Sequence, residues 1–251
     1  KSTDARPHTV ATQSCLCQLD IARSTRWHCM EKIQTTRGAN DKMKAFIIYL
    51  KEVQSTVDSA LECKLTARQH GLDAWLMEGF TPSRADKFIQ EQNLKPYLPG
   101  PKLYKIKWQK GGVRGCMISH YHAWKKCIEL DEPIVVLEHD SRVVSDSYDQ
   151  DFQDVLHLDG YRYEEDPYMG QDPFVENFVN IRKGENQLMG TYGYVIKPHA
   201  AQRLIKGAHE DGITASDMFV KDKYVKIEVV KPRAVDVNSQ DSLTSDRTFY
   251  I

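Results

Sequence analysis

The sequence predicts an α/β protein built on a mixed, mostly parallel sheet flanked by helices. Three observations lead there. Ile134-Val135-Val136-Leu137 is apolar without alternation, which suits a strand covered on both faces. From residue 43 onward, strand-like and helix-like segments follow one another in a βα pattern. The apolar run ends abruptly in Glu138-His139-Asp140, and the carboxyl ends of such strands are where ligands gather.

Residues 1–42 do not resemble the rest. They hold Cys15-Leu16-Cys17 and Trp27-His28-Cys29, scattered Ser, Thr and Arg, no sustained period and no apolar core of a secretory signal. We expect an extraneous leader there, with Met43 as the natural start of a single domain over residues 43–251. A zinc knuckle from Cys15, Cys17, His28 and Cys29 competes with that reading, but Cys-x-Cys is tighter than the usual structural-zinc spacing.

The first strand is expected at residues 45–50. Val53, Val57, Ala60, Leu61 and Leu65 mark an amphipathic helix over 53–70, and Gly71 stops it. A second strand follows at 72–77, and Pro82 opens a helical turn. Residues 95–112 carry Pro96, Pro99 and Pro101 and read as a loop. A short helix from Gly115 ends at the turn Asp131-Glu132-Pro133, before the central strand. Strands are expected at 155–158, 192–196 and 225–230, a helix at 198–206, a further short element at 217–219, and a long polar loop at 164–183.

Composition narrows the function classes. A net charge of -1 excludes a globally basic nucleic-acid binder. No apolar segment approaches the roughly 20 residues that span a bilayer. Six irregularly spaced cysteines do not form a disulfide framework, so a reducing, cytoplasmic setting is expected. Between Glu91 and Glu129 there is no acid, while Lys95, Lys102, Lys105, Lys107, Lys110 and Arg114 alternate with Tyr97, Tyr104 and Trp108. Such a positive, ring-bearing segment can receive a diphosphate, an anionic glycan or a nucleic acid, or support peripheral association through residues 95–114. The plain alternative is a solvated loop whose rings cover the core.

Two carboxylates one residue apart at a strand end offer the hard oxygens that Mg²⁺ or Mn²⁺ prefer. Glu138 and Asp140 are therefore the candidate metal ligands, pointing to one side if strand geometry persists beyond Leu137. His139 should then point away. The plain alternative for all three is a surface acid cluster or a helix N-cap.

Gly115-Cys116, Ser119-His120 and Trp124, followed by Pro133-Ile134 and Leu137-Glu138-His139-Asp140, resemble the core of glycosyltransferase family 25. Gly190-Thr191-Tyr192-Gly193-Tyr194 with Ala200-Ala201 and Leu204 is similar to that family's second block. Asp217, Pro232, Gln240 and Ser245 fall where its later motifs lie. Two departures stand out: His139 replaces the middle acid of the usual Glu-Asp-Asp, and the opening signature survives only as Tyr49-Leu50-Lys51.

The resemblance, over about residues 44–246, implies a GT-A, Rossmann-like fold that binds a nucleotide-sugar. It implies a metal-dependent inverting transfer of galactose or another sugar from a UDP-sugar, with Mn²⁺ or Mg²⁺ as cofactor, to an acceptor hydroxyl. The default acceptor is a lipopolysaccharide-type glycan; a hydroxymethylated base in phage DNA and hydroxylysine in collagen-like protein are alternatives. An inactive nucleotide-sugar or glycan-binding relative is the non-enzymatic alternative, motivated by His139.

Inversion needs a base for the acceptor proton, and Asp217, between small residues and an apolar pair, is the candidate; its plain alternative is an N-cap. Ser119 and His120, read as near a helix start, are candidates to bond the donor's ribose or phosphates, against a core role. His120 and His122 do not share a helix face and make a poor metal pair. Trp124, Tyr192 and Tyr194 are expected to pack. Gln240 and Ser245 are candidates to close over the phosphates.

Overall fold

The computed structural model describes residues 42–97, 108–158, 174–176, 187–188, 190–230 and 232–237. The chain divides between Ala39 and Asn40, and the described residues belong to the second unit, Asn40–Ile251. Residues 1–41 of the leader expected at 1–42, Gln240, Ser245 and residues 98–107 of the basic loop lie outside the described residues.

Nine strands and five helices are described. In chain order they are β1 (Lys44–Tyr49), α1 (Gln54–Gln69), β2 (Asp73–Glu78), α2 (Pro82–Glu91), α3 (Gly111–Leu130), β3 (Ile134–Glu138), β4 (Ser141–Val143), β5 (Val155–His157), β6 (Phe174–Glu176), β7 (Gly193–Ile196), α4 (Pro198–Glu210), α5 (Ser216–Phe219), β8 (Ile227–Val230) and β9 (Val235–Val237). Seven strands form one sheet in the order β2-β1-β3-β7-β5-β8-β6. β2, β1, β3, β5 and β8 run one way; β7 and β6 oppose them. This is the mixed, mostly parallel α/β sheet the sequence predicts. β4 and β9 pair separately as a short antiparallel ribbon.

Period two in β3 divides the core. Ile134 and Val136 pack with Met117, Tyr121 and Trp124 of α3. Val135 and Leu137 pack with Ala60, Cys63 and Ala67 of α1. Both helices thus lie against opposite faces of one buried strand, which is why the strand shows no polar alternation. Glu138 continues the α3 side. No helix among the described residues is long and apolar enough to cross a membrane.

Three expectations need correction. α3 begins at Gly111, so its first turn lies in the segment read as a loop. β6 lies within the stretch read as a polar loop, and the three-residue strands β4 and β9 were not foreseen. The turn after α3 is as expected: Asp131 caps it in the left-handed region at φ 50°.

Candidate active site

Cys116, His120 and Trp124 are spaced i, i+4, i+8 on α3 and so form one stripe facing the sheet. Glu138 ends β3 opposite that stripe. Its backbone N–H bonds the carbonyl of Tyr192 at 2.9 Å, and the Ser141 hydroxyl bonds the same carbonyl at 2.6 Å. The strand end is therefore pinned to the residue before β7.

Three side chains converge on one oxygen, Oε1 of Glu138. Thr191 Oγ1 donates to it at 2.6 Å, His120 Nε2 lies at 3.2 Å and the Cys116 thiol at 3.9 Å. Thr191 spends its only proton on the carboxylate, so its contact with Ser216 Oγ at 3.0 Å is one in which Ser216 donates. Ser216 also touches Cys116 Sγ at 3.3 Å. Behind His120, the Tyr194 hydroxyl lies 2.9 Å from Nδ1 and accepts from Trp124 Nε1–H at 3.0 Å.

This environment sets the charge of the site. Burial would raise the Glu138 carboxyl, but the hydrogen bonds it accepts from His120 and the Thr191 hydroxyl hold it below the usual carboxylate range. The side chain keeps 16% of its surface exposed. Burial first, then the charges of Glu138 and Asp217, push the Cys116 thiol well above its ordinary range, so it stays protonated. The two acids thus act on one thiol from two elements.

The structure sorts the sequence candidates. Glu138 is at the centre. Asp217 is half-buried in the first turn of α5, whose N-cap is Ala215, so it is not the cap of the plain reading. Asp140 occupies the turn between β3 and β4, 3% exposed, and its charge contributes to raising Cys63 on α1. β3 ends at Glu138, so the strand alternation that would aim both acids one way does not continue.

Ser119 and His120 are not near a helix start: they lie mid-helix, at 2% and 0% exposure. Ser119 donates to the Gly115 carbonyl at 2.7 Å and accepts from Phe80 N–H at 2.9 Å, locking α3 to the segment after β2. Its hydroxyl is structural here, which corrects the expectation of a ribose or phosphate contact, since its one proton is committed. His122 turns instead into a ring cluster with Phe80 and Phe88.

Cys116, Thr191, Ser216 and the Tyr194 hydroxyl were not assigned to the site from sequence. The i, i+4 relation of Cys116 and His120 was the available signal. Among the described residues, Cys116, His120 and Glu138 offer ligand atoms within 4.8 Å of one another. Sulfur and imidazole suit a borderline cation such as zinc, whereas carboxylate oxygen suits Mg²⁺ or Mn²⁺. The set therefore mixes donors for both kinds of cation, and Glu138 is the member that would suit Mg²⁺ or Mn²⁺.

No curated protein matches this chain. Among solved structures it is similar to the CTP:phosphocholine cytidylyltransferase of Streptococcus pneumoniae at 10% identity, covering 80% of this chain and 96% of that one, with a TM-score of 0.37. The family model described as glycosyltransferase family 25 (LPS biosynthesis protein) matches residues 42–220, from β1 through α5. Both acids of the site and every side chain converging on Glu138 fall within that match, and the chain belongs to glycosyltransferase family 25.

Proposed function

We propose that this glycosyltransferase moves a hexose, with inversion, from a UDP-sugar to a hydroxyl of a lipopolysaccharide-type glycan, assisted by a divalent cation. The observation that carries the reading is the shared site of Glu138 and Asp217. The first is a carboxylate at the end of the central strand, and the second is a half-buried acid next to Ser216, whose hydroxyl touches both Cys116 and the Thr191 that bonds Glu138.

Glu138 would hold the cation, with Asp140, two residues on, as the second carboxylate. When bound, such an ion neutralises charge on the departing diphosphate. Asp217 takes the proton of the acceptor hydroxyl as its oxygen bonds the anomeric carbon. The bond from that carbon to the phosphate oxygen breaks, and its electron pair leaves with UDP. Thr191 supports the first carboxylate, and Ser216 supports Thr191 and touches Cys116.

Thermal-shift measurements with nucleotide-sugars, with and without Mn²⁺, test the donor, because a ligand bound only by the folded state raises Tm. UDP-hexoses should raise it more with Mn²⁺ than without, and the Mn²⁺ increment should vanish in a Glu138→Ala, Asp140→Ala double variant. An equal shift in that variant would sink the cation assignment.

A further inference from the structure

We infer that Trp124, Tyr194 and His120 form a one-way hydrogen-bond chain that holds Oε1 of Glu138 and leaves Oε2 for the donor's diphosphate and its cation. This rests on the proposed role of Glu138 and adds the residues that position it.

The direction follows from which atoms carry protons. An indole N–H only donates, so at 3.0 Å the Tyr194 oxygen accepts from Trp124. The phenol then has one proton to give, and His120 Nδ1 is 2.9 Å away. With Nδ1 accepting, the ring carries its proton on Nε2, which faces the Glu138 carboxylate at 3.2 Å. Reversing the ring tautomer would set a lone pair against the carboxylate and strand the phenolic proton in the core, a costly arrangement.

The chain is also rigid. Trp124, His120 and Tyr194 are each fully buried. Trp124 stacks on Phe219 of α5 with centroids 5.8 Å apart. His120 and Trp124 are one helical turn apart on α3, and Tyr194 comes from β7. The helix, the strand and the short helix bearing Asp217 therefore share one anchor.

The direct test needs no variant: ¹⁵N–¹H correlation spectra of the whole protein near neutral pH. A proton on Nε2 with Nδ1 bare is the expected result; a proton on Nδ1, whether or not Nε2 also bears one, overturns the proposal. Variants supply the functional readout. Tyr194→Phe should shift the His120 resonances and lower transfer roughly 10- to 100-fold, the scale for partners that orient metal-binding side chains. His120→Gln, whose amide N–H replaces Nε2–H, should retain more activity than His120→Leu at matched Tm; equal loss in both assigns His120 to packing alone and overturns the chain. Glu138→Gln separates the two readings. If it retains full transfer, the role of Glu138 fails whatever the tautomer. If it is inactive while Tyr194→Phe and His120→Leu are fully active, the chain alone fails.

Discussion

The Thr191 hydroxyl lies 2.6 Å from Oε1 of Glu138, joining residues 53 positions apart in the chain. It is the second support of that carboxylate, and it comes from the segment just before β7, whereas His120 comes from α3. Because Ser216 in turn donates to Thr191, the α5 helix is tied to the end of β3 through two hydroxyls.

Thr191→Val keeps the shape and removes the bond. A hydrogen bond to a charged group contributes about 1.5–3 kcal/mol, so stability should fall by that order. Thr191→Ser restores the hydroxyl and should recover most of it. Thermal denaturation of the three proteins decides, and a valine variant as stable as the parent would show that the contact is idle.

Asp217→Asn removes the proposed base and leaves a side chain of equal size. Turnover should drop by about 10²- to 10⁴-fold, the range for a positioned acid–base group, with donor binding near that of the parent. UDP release and donor titration are the two measurements. Retained turnover removes Asp217 from the mechanism.

Glycine substitutions separate packing from helix propensity. At Gly115 a Cβ would lie 2.3 Å from the Phe80 backbone oxygen, whereas at Gly112 it meets nothing within 4 Å. Gly115→Ala should therefore destabilise by about 1–3 kcal/mol through overpacking, despite alanine's better helix propensity. Gly112→Ala should stabilise by roughly 0.5–1 kcal/mol. Opposite signs in urea midpoints are the expected result.

Acid should loosen the far end of the sheet. Asp154 accepts from the Lys226 N–H at 2.8 Å and from His199 at 2.8 Å, and pairs with Arg203, tying α4 to the strands beside it. Burial pushes its carboxyl up, but these partners outweigh burial and hold it below its ordinary value. A group depressed in the folded state adds stability above its unfolded pKa, about 3.9, and loses it as pH falls toward the folded value. Stability should thus drop below about pH 4, and Asp154→Asn should flatten that acid limb while lowering stability at neutral pH.

Much of the fold was legible because long apolar runs and helical periods survive tertiary packing. β1, α1, β2 and β3 fall within a residue or two of their sequence positions. The start of α3 was hidden by Gly111-Gly112 and the prolines before it, since glycine reads as a breaker though it is tolerated in a first turn. β4 and β9 are three residues each and take their identity from pairing with one another. At the site, Glu138 was readable as an acid ending an apolar strand. The direction of Asp140 was not readable, because period two applies only while the strand lasts and β3 ends at Glu138. Cys116, Thr191 and Ser216 come from three segments, and only the folded sheet brings them to one carboxylate.

The partition of the core by β3 leaves the two halves of the protein under unequal selection. On the α1 flank Val135 and Leu137 share their cluster with Ala60, Cys63 and Ala67, positions that answer mainly to volume. On the α3 flank the chain from Trp124 through Tyr194 and His120 to Glu138 has a fixed sense of donation. A library aimed at hardening this enzyme against heat should therefore diversify the first flank freely and leave the second intact.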